Sequence, residues 1–367
     1  MFNVGKPVYG EEFIDRKKEL KLLKHYIREG QNTIIKAPRR YGKSSLIKES
    51  FRQVKKPSIY LDIKKYPDIK MFSYSLIEKS YELVKIKNFF RKIKESVVGF
   101  LEHIEKEVEI PVYEDIKVTL KYLEKEKSDV ELLEHALSIP EKIGKHLNKD
   151  VIIALDEFQD IVEISDMGYD ILNVIRAILQ HQEKTTYIFA GSQESLMTKI
   201  FQDKNSPFFH FGRIIELEGL EIKDLTEYAI RKFKEKGLTI PKRSLMEVMS
   251  LLKGQPYYCM KVLQNLYYNS LEYSKKKLTK KDIDNALNDA LMETKTYIED
   301  IISKVKAKKH HYEVLYAVAN NIEPDIDEKN LYRIHKSLEE MGYLKHRSRG
   351  VYEITDAFLE IYLKNIN

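Results

Sequence analysis

Ile34-Ile35-Lys36-Ala37-Pro38-Arg39-Arg40-Tyr41-Gly42-Lys43-Ser44-Ser45 decides how this chain is read. Thr33 to Lys36 has the apolar character of a buried parallel strand. Ser44 to Val54 carries Leu46, Ile47, Ser50, Phe51 and Val54 at the spacing of an amphipathic helix. Between them lies the G-x-x-x-x-G-K-[ST] pattern of a phosphate loop, with Ala37 in place of the first glycine. Backbone N–H groups in such a turn form an anion-binding concavity. The next helix adds its unpaired N–H groups and its positive dipole end. Gly42 permits a backbone conformation that other residues resist. Lys43 is expected to reach the β- and γ-phosphates, and the Ser44 hydroxyl to ligate Mg²⁺. Alanine at 37 is small enough for the loop to close, provided its φ stays negative. Ala37 through Ser45 are therefore the candidate contacts to ATP or ADP. Arg39 and Arg40 either touch phosphate or face solvent.

A second stretch, Val151-Ile152-Ile153-Ala154-Leu155-Asp156-Glu157-Phe158, places two acids after five apolar residues. It describes a central strand with carboxylates at its carboxyl end, the edge where ligands collect in open α/β sheets. Asp156 is expected to hold Mg²⁺, directly or through water, and Glu157 to orient or deprotonate the attacking water. Alone, the pair would read as favourable acids at a helix N-terminus; beside a phosphate loop it reads as an acid dyad. Tyr187 to Gln193 is another short apolar strand with a polar end. Ser192, or secondarily Gln193, can sense the γ-phosphate or the lytic water, and Ser192 serves equally well as a helix cap. Arg213 opens a fifth strand, Ile214 to Leu217. It is a candidate transition-state arginine, in cis or from a neighbouring subunit, against the commoner fate of a surface salt bridge.

Length and composition narrow the class. The chain has 367 residues, enough for two or three domains, with 33% charged and 43% hydrophobic residues, as in soluble globular proteins. No apolar run approaches the roughly 20 residues that span a bilayer, and the first residues lack a signal-peptide core. Cys259 is the only cysteine, which excludes a disulfide within the chain, makes a Cys/His zinc site untenable and points to a reducing, cytoplasmic setting. Abundant Lys, Glu, Ile and Tyr with no Trp resemble a thermophile's usage. A net charge of +6 neither demands nor forbids a nucleic-acid partner.

The boundaries expected are 1–218 for the nucleotide domain, 219–300 for a helical bundle and 301–367 for a small terminal module. Asp15 is placed to cap a helix striped by Leu20, Leu23, Tyr26 and Ile27. Ser58 to Ile63 reads as the second strand, and 66–148 as a mostly helical insertion carrying Phe72, Leu76, Phe89, Phe90, Phe100 and Leu101. Within it Glu107 to Thr119 reads either as helix or as hairpin, and the Lys/Glu-rich run Lys121 to Asp129 as a solvated helix face. In the bundle, Asp224 is expected to cap Leu225 to Lys236, and Arg243 to Lys253 to stop at Gly254-Gln255-Pro256, where proline suits a helix start. The last module reads as helix Tyr312 to Asn320, helix Asn330 to Met341, then a hairpin of Tyr343 to Arg347 and Val351 to Ile354. That is the plan of a winged helix. Lys329, Arg333 and Lys336 on its second helix, with Arg347 and Arg349 in the wing, suit duplex DNA. The near-neutral charge of 301–367 suits protein contacts equally well.

These residues together resemble the archaeal ATPase family of STAND-class P-loop NTPases, near the AAA+ proteins. The likeness rests on Phe13-Ile14-Asp15-Arg16, Pro38 to Ser45, Asp156-Glu157-Phe158-Gln159, Gly191-Ser192, Phe211-Gly212-Arg213 and Gly254-Gln255-Pro256. It implies an α/β fold with a five-stranded parallel sheet flanked by helices, a helical lid, a C-terminal winged helix, and ATP binding with hydrolysis. It also implies that Ile14 and Arg16 pack beside the base, and that Pro256 meets the nucleotide; ordinary helix capping is the alternative for both. Ala37 departs from the family pattern. The leading expectation is a slow Mg²⁺-dependent ATPase that switches a lid and a winged helix, acting on a protein partner or as a homo-oligomer. The alternatives are a DNA-binding initiator or regulator resembling origin-recognition ATPases, and a nucleotide-stabilised scaffold without turnover. No membrane partner is expected.

Overall fold

The computed structural model describes residues 2–83, 128–348 and 350–365. Its five strands are β1 (Thr33–Lys36), β2 (Ser58–Asp62), β3 (Val151–Asp156), β4 (Thr185–Gly191) and β5 (Arg213–Glu216). They form one parallel sheet in the order β2-β3-β4-β1-β5. Helices cover both faces, so β1, β3 and β4 are buried along their whole length and their sequences are continuous rather than alternating. Adjacent residues still serve opposite faces. Ile34, Ile153 and Phe189 join one apolar cluster, while Ile35, Ala154 and Ile188 join another.

On one side, α1 (Lys17–Arg28) and α2 (Lys43–Val54) supply Leu23, Ile27, Leu46 and Ile47. On the other, α3 (Ile69–Glu82), α4 (Asp129–Leu147), α5 (Ile171–Leu179) and α6 (Glu194–Gln202) supply Phe72, Leu133, Ile175 and Met197. The described ends of the 66–148 segment form α3 and α4. Phe89, Phe90, Phe100 and Leu101, the segment Glu107 to Thr119 and residues 121–127 lie outside the described residues.

After the sheet come α7 (Ile222–Glu235), α8 (Lys242–Leu251), α9 (Pro256–Glu272) and the long α10 (Lys280–Lys306). These are followed by α11 (His311–Asn320), α12 (Glu328–Glu340), an antiparallel hairpin of β6 (Leu344–Ser348) and β7 (Val351–Ile354), and α13 (Ala357–Lys364). One apolar cluster joins Phe2, Leu225, Leu263, Ile298, Leu338 and Phe358. Helix α10 runs unbroken through residue 300, with Ile298, Ile301, Ile302 and Val305 buried. Arg349 lies outside the described residues.

Two helix starts differ from the sequence expectation. Asp15 does not cap α1, because Arg16 holds that position with a left-handed φ of 59°. The Asp15 carboxylate instead accepts from the Glu221 N–H at 2.9 Å, tying the helix entrance to the linker after β5. Helix α7 begins at Ile222, so Asp224 lies within its first turn as an acid near the positive end rather than as its cap.

Phe2 is 1% exposed, packed on Tyr228 and Phe233 of α7, and its carbonyl accepts from Gln264 Nε2 at 2.9 Å. Chain ends are normally frayed and tolerant. Phe2→Ala is expected to cost about 3 kcal/mol, measured by denaturant unfolding; a loss near zero would mean that this segment is not anchored on α7 and α9.

Candidate active site

The loop leaves β1 at its carboxyl end and enters α2 at Lys43. Its left-handed turns fall on Arg40 (φ 70°) and Gly42 (φ 88°), while Ala37 keeps a φ outside that region and is fully buried. Alanine therefore fits where the pattern has glycine. At Gly42 the space a Cβ would take is open, so it is the backbone angle that calls for glycine.

Lys43 is 6% exposed, and its ammonium donates to the carbonyls of Ala37 and Pro38 at 3.0 and 3.2 Å. Burial pushes its pKa down, against the pull of Glu157 and Asp156. A buried cation held by its own loop is costly, and a polyphosphate in the loop would relieve it.

The strand pairing β2–β3 sets Asp156 opposite Asp62 at the carboxyl edge. Ser44 Oγ donates to Asp156 Oδ2 at 2.7 Å, and the Tyr60 hydroxyl donates to the same oxygen. A hydroxyl and a carboxylate side by side are the hard oxygen donors Mg²⁺ takes from a protein when phosphates and water complete its shell. The donor set fits the ion.

Glu157 has a left-handed φ of 51° as the chain turns out of β3. Phe158 behind it anchors the turn, its ring 4.7 Å from that of Phe189. Glu157 Oε2 accepts from Ser192 N at 3.0 Å, Ser192 Oγ at 2.6 Å and Gln159 Nε2 at 2.8 Å. Burial pushes the carboxyl up, but the Lys43 ammonium and these donors outweigh it and hold it below the usual range. Ser192 serves Glu157 rather than capping a helix. In the structure α6 has Gln193 at its N-cap with no side-chain bond, and the Ser192 hydroxyl goes to Glu157. Gly191 before it is required by crowding, since a Cβ there would lie 2.4 Å from Gln159 Oε1 and from Met197 Sδ.

A cavity of about 290 Å³ opens beside the loop, and Ile14, Arg16, Gly42 to Ser45, Asp156, Glu157 and Pro256 line it. The chain before α1 roofs it, with Val8 N–H donating to Ser45 Oγ at 3.1 Å and Gly10 N–H to Glu49 at 2.9 Å. Arg16 is 4% exposed; it donates to the Tyr41 carbonyl at 3.3 Å and to the Glu218 carbonyl. It thus braces the loop from the cavity wall. Arg40 faces α9 and α10, its guanidinium 4.3 Å from the Tyr257 ring and 4.8 Å from that of Tyr297.

Arg213 is not brought to this site. Its register partner is Thr33, the first residue of β1, and its N–H donates to Asn32 O at 2.8 Å. It therefore sits at the amino edge of the sheet, about 10 Å of strand away from the end that carries the loop. Tyr60, Gln159 and Gln255 join the site through bonds that no motif in the sequence marks. Tyr60 precedes Asp62 by two in a strand, so it shares a face with that acid, and this is the only signal the sequence offered for it.

The sheet order, the loop and the acids at one edge define the chain as a P-loop NTPase in fold. It belongs to the family of ATPase domains found predominantly in Archaea, whose model matches residues 13–262, and it is accordingly a nucleotide-binding ATPase. No curated protein matches it in sequence. A Walker-type ATPase of Pyrococcus abyssi has the same fold at TM-score 0.70 and 18% identity, with 99% of each chain covered. The ORC2 protein of Aeropyrum pernix, solved as ADPNP–ADP complexes, gives TM-score 0.54 at 12% identity over 96% of this chain and 94% of that one. The ORC1 protein of the same organism, solved in complex with DNA, gives 0.51 at 12% identity over 97% and 93%. Among the described residues no helix is long and apolar enough to cross a membrane.

The held-down Glu157 carboxyl carries a pH signature. A lowered folded pKa contributes stability above the unfolded value of about 4.3, and that stability is lost as pH falls through the folded pKa. Ser192→Ala is therefore expected to cost about 1.5–3 kcal/mol at neutral pH, with the difference from wild type shrinking as acid protonates Glu157. Denaturant unfolding across the acid range checks this; a difference that stays flat down to about pH 3 would show that the hydroxyl does not serve the ionised carboxylate.

Proposed function

We propose that this chain binds ATP with Mg²⁺ in the cavity beside Gly42 to Ser45, hydrolyses it slowly, and uses the cycle as a switch on its helical lid and C-terminal module. In this reading Lys43 and the N–H groups of the loop hold the phosphates, and Ile14 and Pro256 flank the base. Ser44 and Asp156 hold the metal, which when bound neutralises phosphate charge. Glu157 orients the attacking water. With three donors on Oε2 and a lowered pKa, it is a weak base, which favours positioning over full proton abstraction and suits slow turnover.

The observation that carries the switch is a chain of bonds through Tyr41. Burial pushes the Tyr41 phenol up, so the hydroxyl keeps its proton. It donates to the Thr355 carbonyl at 3.2 Å and accepts from Gln255 Nε2 at 2.7 Å. Gln255 Oε1 in turn accepts from the Ala357 N–H at 3.2 Å. One residue of the loop thus touches both the turn before α9 and the junction between β7 and α13. Phosphate that moves the loop must move these contacts. We take the helix–helix–hairpin order of α11, α12, β6 and β7 as a winged helix, and 1–218, 219–300 and 301–367 as the functional units.

Duplex DNA is the second reading. Lys329, Arg333 and Lys336 are exposed and make no ion pair among the described residues. Arg347 speaks against a free wing, since it pairs with Glu218 at 2.6 Å and Glu353 at 2.7 Å. A protein partner or a second copy of the chain fits the same surface without that charge requirement.

Phosphate release, measured with and without duplex DNA, tests the proposal. Wild type should turn over only with Mg²⁺. Lys43→Ala should lose nucleotide affinity, and Glu157→Gln should keep nucleotide while losing about 10²-fold or more in rate. Full turnover by Glu157→Gln would remove the role given to that acid, and stimulation by DNA would favour the second reading.

A further inference from the structure

Hydrolysis of a γ-phosphoryl group gains most from a cation over its equatorial oxygens, and Arg213, the arginine expected for that task, sits at the wrong edge. The remaining arginines near the loop divide clearly. Arg16 is buried and committed to the Tyr41 and Glu218 carbonyls and to Glu19. Arg40 lies between two tyrosine rings of the lid. Arg39 is different. It is exposed, makes no ion pair among the described residues, and lines the cavity beside Lys43 and Glu157. Its Nε donates to Ser192 Oγ at 3.4 Å, and that hydroxyl lies 2.6 Å from Glu157 Oε2. Two cations, Lys43 and Arg39, thus line the cavity that also holds Glu157, and like charges in one cavity repel until an anion lies between them.

We propose that Arg39 is the transition-state arginine of this ATPase and acts in cis, so that a single chain is competent for turnover. The inference rests on the ATP site proposed above. In the step it assists, the water oxygen forms a bond to the γ-phosphorus, and the bond from that phosphorus to the β–γ bridging oxygen breaks. The electron pair stays on the β-phosphate of ADP. Glu157 orients the water, and the water proton passes to an oxygen of the departing phosphoryl group, which leaves as phosphate. No electrons are exchanged, and Arg39 is unchanged. Its planar guanidinium donates two N–H groups to the γ-oxygens, a fork that lysine lacks. Ser192 is then a positioning residue shared by the acid and the arginine.

The test compares wild type, Arg39→Ala, Arg39→Lys and Arg213→Ala in steady-state turnover and in calorimetric binding of ADP, with and without magnesium and aluminium fluoride. Arg39 is exposed and makes a single long hydrogen bond, so its variants are expected to fold. Arg39→Ala should lose roughly 10³-fold in kcat, bind ADP within about 3-fold of wild type, and lose the extra affinity for the fluoride complex that mimics the transferring group. Arg39→Lys should recover part of the rate. Arg213→Ala should turn over like wild type, and turnover per chain should not fall on dilution. The proposal is overturned on its own, with the ATP site intact, if Arg39→Ala binds the fluoride complex and turns over as wild type does. It is equally overturned if rate falls with dilution and Arg213→Ala is inactive, since the arginine would then come from a neighbour. If wild type takes up neither ADP nor the fluoride complex, the site reading falls and this inference falls with it.

Discussion

A turn through left-handed backbone angles at Arg40 and Gly42 is the constraint on which the rest of the site depends. It brings the chain out of a fully buried strand and back into a helix over six residues, Ala37 to Gly42. Within that distance it sets the first turn of α2 against the loop, with the Lys43 ammonium donating back to the Ala37 and Pro38 carbonyls. Such geometry is an anion site before any ligand arrives, because unpaired N–H groups and the helix dipole have the same sign. The strand supplies rigidity and the glycine supplies the angle. The acids at the end of β3 and the hydroxyl after β4 reach the same edge because β3 and β4 run parallel to β1 in one sheet.

The same loop is tied outward as well as inward. Arg16, Tyr41 and Arg40 connect it to the linker after β5, to the turn before α9 and to the tyrosines of α9 and α10. The C-terminal module closes the circle: Lys345 pairs with Glu194 at 3.6 Å, Ser195 donates to the Glu340 carbonyl at 3.2 Å, and Lys253 pairs with Glu353 at 2.8 Å. Most of these are partly exposed polar contacts, each worth little alone. They contrast with the apolar cluster that joins Phe2 to Phe358.

Much of this was legible from residue types. The five strands, the loop, the acid pair and the helix–helix–hairpin order follow from apolar runs, turn residues and fixed spacing, because local sequence dictates them. What escaped was set by distant partners. Asp15 looks like a helix cap until its true partner, the Glu221 N–H, is known. Ser192 has two equal readings until the fold sets it beside Glu157. Arg213 looked useful because it opens a strand of the right sheet, yet a parallel strand's first residue lies at the edge opposite the loop. Tyr41 and Gln255 carry no motif for their bond, since its meaning depends on contact between segments far apart in the chain.

The central claim is that the cradle formed by Ala37 to Ser45 grips a polyphosphate. Isothermal calorimetry of the pure, folded protein with ATP at saturating Mg²⁺ tests it most directly. The account predicts saturable uptake of one nucleotide per chain. Absence of any heat of binding from ATP or GTP would contradict it.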